Sequence, residues 1–123
     1  MKKMWAMFCV ALMLGCTQKN VVLSGEYKMQ NAPENAEVSI VFDGNSFAGQ
    51  SAVNRYFGTF EQNSENIKFN VNGTTMMMGP QSLMLFEQEY IKNLSQINKI
   101  EQNKNVLTLK NDNKEIYTFI KTK

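Results

Sequence analysis

The stretch Gly44–Glu61, GNSFAGQSAVNRYFGTFE, constrains the fold of this chain more than any other. Asp43-Gly44-Asn45 stands between two apolar runs, and glycine accepts the positive φ that a tight hairpin turn needs. Phe47–Gln50 is then a return strand. Ser51–Arg55 breaks the alternation, which places it across the end of a sheet. Tyr56, Gly58 and Phe60 share one face of the strand that follows. Aromatic residues interleaved with glycines in mid-chain predict the packing knot of a β-sheet.

The flanking sequence repeats this two-residue period. Leu23, Gly25, Tyr27 and Met29 alternate with Ser24, Glu26, Lys28 and Gln30, and Val38, Ile40 and Phe42 follow after a loop holding Pro33. Ile67, Phe69 and Val71 alternate with Lys68, Asn70 and Asn72, and the methionines after Thr75 continue the extended chain. A short strand over 98–102 precedes a closing hairpin, Val106–Lys110 with Glu115–Lys121. Such alternation marks half-buried strands. One segment differs. After Pro80, which suits a first helical position, Leu83, Phe86, Tyr90, Leu94 and Ile97 recur every three or four residues. That stripe predicts one long amphipathic helix over 80–97, with Gln, Glu and Lys on its opposite face. The expected fold is α+β, a strongly curved antiparallel sheet of about seven to eight strands packed on that helix.

The first fifteen residues stand apart. Lys2 and Lys3 precede an apolar run from Met4 to Leu14, too short for a stable span, which is the layout of a secretory signal. Met13-Leu14-Gly15-Cys16 resembles a bacterial lipobox, with Met and Leu departing slightly from the usual residues. This predicts a signal peptide over 1–15, a lipidated Cys16 opening a tether over 16–22, and a domain over 23–121. Cys9 leaves with the signal, so Cys16 has no intramolecular partner, and lipidation accounts for it. Thr17 in place of Asp favours, by resemblance to proteobacterial lipoproteins, the outer membrane facing the periplasm. Charge agrees with a domain that does not bind nucleic acid. The 13 Lys and Arg less Lys2 and Lys3 leave 11, against 11 Asp and Glu, so the mature chain has no basic excess for a phosphate backbone.

The order of several blocks resembles the META domain family, which includes HslJ-like bacterial lipoproteins. The matching residues are Phe42, Gly49, Asn54-Arg55-Tyr56, Gly58, Phe60, Thr74, Met76, Met77, Leu107-Thr108-Leu109 and Phe119. Val53 and Met78 stand where the family has cysteines, and Thr75 where it has Arg. Val53 and Met78 are accordingly expected to make an apolar contact in place of that pair. The resemblance implies a half-open antiparallel β-barrel filled by a helix, similar to pilot lipoproteins of secretion systems. It also implies a stress-associated (heat-shock) envelope lipoprotein working through protein or lipid contacts, with no cofactor.

The chain contains no His, and its mature part has no free thiol, which removes His-based and Cys-based catalytic arrangements and favours a non-enzymatic role. Three sets of residues are candidate sites. Asn54, Arg55 and Tyr56 offer an Arg fork for a partner's carboxylate or phosphate, or else form a corner in which Asn54 bonds to backbone and Tyr56 is core. Leu83, Phe86 and Tyr90 line a groove for an acyl chain or peptide, as in a pilot-like carrier, or else seal the core. Met76 and Met78 share one face of a strand as soft ligands for copper(I), or else fill the core, the favoured reading.

Overall fold

The computed structural model describes residues 21–123; the predicted signal segment, Cys16 and most of the predicted tether lie outside the described residues. Strands β1 (Gly25–Met29), β2 (Val38–Asp43), β3 (Ser46–Ser51), β4 (Arg55–Asn63) and β5 (Asn66–Thr74) come first. Helix α1 (Gln81–Leu94) follows, then β6 (Lys99–Asn103), β7 (Val106–Asn111) and β8 (Lys114–Lys121). Each strand pairs antiparallel with the next in sequence. β8 returns to β1 through Tyr27↔Lys121 and Met29↔Phe119, so the strand order runs round a closed ring.

Local sequence accounts for the hairpins. Gly44, Ser64, Lys104 and Asp112 each open a two-residue loop and each has positive φ, between 59° and 65°. Loops of this kind match the right-handed twist of the strands they join. Between the loops, alternation sends Tyr27, Ile40, Phe42, Phe47, Phe60 and Phe69 inward. Phe42 meets Phe60, and Phe47 meets Phe69, edge to face at 5.4 Å between ring centroids, the geometry that aligns ring edges with π-faces.

Two expectations need correction. The half-open sheet is instead a complete ring of eight strands, and its thin place is the seam between β5 and β6. There a single register pair, Asn66↔Lys99, joins the two strands. The helix is short: 14 residues, or about 21 Å, rather than the 80–97 span that the apolar stripe predicts. Its start follows from Pro80, whose carbonyl accepts the N–H groups of Leu83 and Met84. It ends because the chain is captured by the sheet. Asn98 donates its N–H to Lys110 O, accepts from Ile67 N–H through its carbonyl, and accepts from Asp112 N–H through its side chain at 2.7 Å. Ile97 is buried through the intervening turn, not through a further helical turn.

Candidate functional site

The Asn54-Arg55-Tyr56 block lies where β3 hands over to β4. The corner before it is tight. Ala52 has φ 90°, a left-handed conformation uncommon for a residue with a Cβ. Ser51 N–H donates to the Asn54 carbonyl at 2.8 Å. The Ser51 hydroxyl lies 3.0 Å from that same carbonyl and 3.0 Å from Glu87 Oε1, a shared donor.

Glu87 is the centre of this corner. It is 7% exposed and comes from α1, more than thirty residues away in sequence. Its Oε1 accepts the backbone N–H groups of Val53 at 3.0 Å and Asn54 at 2.6 Å, and its Oε2 accepts Asn54 Nδ2 at 2.6 Å. Burial pushes the Glu87 carboxyl up, but the hydrogen bonds from Asn54, Val53 and Ser51 together outweigh it. They hold the group below the ordinary carboxylate range. The charged form is favoured because every donor points at it.

Asn54 completes the fastening. Its Oδ1 accepts Thr75 Oγ1–H at 2.8 Å and Met77 N–H at 2.5 Å, and its Nδ2 also donates to Met77 O at 3.2 Å. Both amide hydrogens and both oxygen lone pairs are thereby used. One buried carboxamide ties β4, the segment after β5 and the helix together.

A depressed carboxyl pKa has a definite pH consequence. The stability contributed by Glu87 is present above the unfolded carboxyl pKa, about 4.3, and is lost as pH falls through the lower folded value. Denaturant midpoints measured from pH 7 downward are therefore expected to fall through the acid range. A Glu87→Gln variant, less stable at neutral pH, should show a shallower fall, and the difference between the two curves isolates this residue. Parallel curves would mean that the carboxylate charge has no part in holding the corner.

Of the three residues in the block, only Arg55 reaches the surface. Tyr56 is buried, its hydroxyl donating to Ser39 O at 2.8 Å and lying 2.5 Å from the hydroxyl of Tyr90. With the single Tyr56 proton on Ser39 O, Tyr90 is the donor between the two. Burial pushes both phenols up, so both stay protonated at neutral pH. Arg55 uses its backbone against Thr75, giving N–H to Thr75 Oγ1 at 3.1 Å and accepting Thr75 N–H at 3.0 Å. Its guanidinium has no ion pair or hydrogen bond among the described residues. It borders an outer cleft of about 470 Å³ that also holds Val41, Ala48, Gln50 and the Lys28–Glu37 ion pair.

The groove residues divide. Leu83 and Phe86 are half-buried, while Tyr90 is fully enclosed, stacked on Phe86 at 6.2 Å and packed against Tyr117 at 5.2 Å. The interior beside the helix is thus occupied by its own aromatic rings.

The methionines overturn the core-filling expectation. β5 stops at Thr74, so Met76 and Met78 do not share a strand face. Met76, Met77 and Met78 are 89%, 58% and 86% exposed, although burying such a side chain is worth about 1.5–3 kcal/mol. The reason lies in the backbone: Asn54 holds both polar groups of Met77, and Gly79 lies directly on Val53. A Cβ at Gly79 would come 2.9 Å from Val53 Cγ2. The segment lies flat on the corner, and its side chains turn outward. Val53 lies against Gly79, the neighbour of Met78 in the chain.

Glu87, Ser51 and Thr75 escape sequence reasoning. For Glu87 a signal exists. Leu83, Glu87, Tyr90 and Leu94 are spaced four, three and four, so a carboxylate stands on the inward stripe rather than on the opposite face. Ser51 and Thr75 carry no comparable signal.

A family model for the META domain matches residues 19–123. Two solved structures share the fold. An NMR structure of a protein from Burkholderia xenovorans has a TM-score of 0.67 and 18% identity, over 81% of this chain and 83% of that one. A crystal structure of a DUF4847 family protein from Bacteroides vulgatus has a TM-score of 0.53 and 20% identity, over 68% of this chain and 57% of that one. No curated protein matches the chain.

Proposed function

This chain belongs to the META domain family, and from that premise we propose that it is a non-enzymatic bacterial lipoprotein. In this reading Cys16 carries the lipid, the domain stands on the periplasmic side of the outer membrane, and it serves envelope stress tolerance by binding a partner protein. The observation that carries the reading is the polarity of the domain. Val21 is held at one end of β4, where Gln62 Nε2 donates to its carbonyl at 2.7 Å. Arg55 and the exposed methionines lie at the other end, across a nine-residue strand of about 26 Å. From Cys16 to Val21 the chain spans at most about 17 Å, so an anchor at Cys16 keeps the Gln62 end near the bilayer and presents the other end outward.

The presented end suits a protein contact. No charged residue occurs between Lys68 and Glu87, and Leu85 and the three methionines are exposed there. Arg55 adds a fork for a carboxylate on the partner. Adaptable thioethers together with a charged fork on the same end are chemistry for recognition, not for turnover.

Two other readings use different atoms. In a carrier, an acyl chain or peptide would sit beside Leu83 and Phe86. In a copper(I) protein, Met76 and Met78 would supply soft sulfur ligands, and their exposure favours access. One measurement separates the three: the native intact mass of protein released gently from membranes. The expected result is a chain beginning at Cys16, carrying acyl groups and nothing else. A non-covalently bound lipid or peptide would replace this reading with the carrier, and bound copper would replace it with the metal reading. An unmodified Cys16 would remove the anchor.

A further inference from the structure

We propose that Met76, Met77 and Met78 form a reversible oxidation site, at which peroxide converts thioethers to sulfoxides while the fold stays intact. Three features meet in this segment. The first is access: Met76 and Met78 are among the most exposed large apolar side chains of the described residues, at 89% and 86%. A sulfur in contact with water is open to a small oxidant, and water stabilises the charge that develops on the departing oxygen. The other described methionines lack this advantage, since Met29 packs against the core and Met84 is half-buried.

The second feature is the mount. The segment is held by the Asn54 carboxamide, which bonds both backbone polar groups of Met77, and by Thr75 N–H to Arg55 O. None of these bonds involves sulfur, so changing the three side chains leaves them intact. Methionine oxidation is disruptive where the thioether is part of a core; here the thioethers lie outside it. The third is setting. Each added sulfoxide turns an exposed apolar side chain into a polar, hydrogen-bond-accepting one.

The chemistry balances with hydrogen peroxide as oxidant. A sulfur lone pair attacks one peroxide oxygen, so that an S–O bond forms and the O–O bond breaks. The proton on the transferred oxygen passes to the departing hydroxide, which leaves as water. Sulfur is oxidised by two electrons and peroxide is reduced by two. Methionine sulfoxide reductases reverse the change, one enzyme for each epimer.

The site does not depend on the partner contact proposed above, because oxidation is read on the isolated protein. The test exposes the full chain to limiting hydrogen peroxide and follows each methionine by peptide mass mapping. Met76 and Met78 should gain an oxygen first and Met77 next, with Met29 and Met84 at least about tenfold slower. The thermal midpoint should be unchanged once the triplet is oxidised, and the two reductases should remove the added oxygens. A Met76→Leu, Met78→Leu double variant should fold normally and lose the fast phase. Equal rates at Met29, Met84 and the triplet would overturn the proposal, and so would a fall in thermal midpoint on oxidising the triplet alone.

Discussion

Asn54→Ala is expected to destabilise the domain by about 3–5 kcal/mol, the range for removing one partner of a buried charge and leaving other buried polar groups unsatisfied. The carboxamide makes four hydrogen bonds, to Glu87, Thr75 and both backbone groups of Met77. Alanine removes all four at once. Glu87 keeps its bonds from Ser51 and from the Val53 and Asn54 backbone, but loses the donor to Oε2 and stays buried. Equilibrium urea unfolding checks the size of the loss, and a fall of at least about 15 °C in thermal midpoint should accompany it. Asn54→Asp is the sharper variant. It keeps the shape but sets a second carboxylate where a 2.6 Å donor stood. Its loss at neutral pH should match that of the alanine variant and recover in part as acid protonates one of the pair. A loss below about 1 kcal/mol for either variant would show that the backbone alone holds the corner.

Gly58→Ala is expected to cost about 3 kcal/mol, the upper part of the range for overpacking. A Cβ on Gly58 would fall 1.9 Å from Asn70 O and 2.8 Å from Phe47 Cζ. The first of these atoms belongs to the paired strand, whose register already shifts between Phe57 and Gly58. Asn70 is paired with Thr59, so its carbonyl cannot step aside without disturbing the β4–β5 ladder. Gly73→Ala is the matched control. The nearest atoms to its Cβ would be those of the Phe57 ring, at 2.8 Å and beyond, and Phe57 is a half-exposed side chain rather than backbone. Urea midpoints should therefore separate the two variants widely. If both fall by the same amount, loss of glycine and not crowding is the cause.

The strands were legible because their signals are local. A side chain's face follows from its parity along the strand, and a two-residue loop follows from one residue tolerating positive φ. Tyr56, Gly58 and Phe60 point inward as the pattern of Gly44–Glu61 requires. The helix was legible in kind but not in length, since Ile97 keeps the apolar spacing while Asn98 is already bound into the sheet. At the candidate site the sequence marked Asn54-Arg55-Tyr56 without separating their roles. It misjudged the methionines, because hydrophobicity predicts burial on average and cannot register that a neighbouring carboxamide has claimed the Met77 backbone.

Composition and periodicity by themselves determined the α+β class, the number of strands to within one and the inward aromatics. Tertiary structure alone decided that β8 closes the ring on β1, that Glu87 belongs to the interior and that Met76–Met78 face solvent. The division has a physical reason. Periodicity is a property of one segment and specifies which side of it is apolar. Hydrogen bonds such as Asn54 to Glu87 join segments more than thirty residues apart, and their geometry exists only once the strands between them have closed the corner.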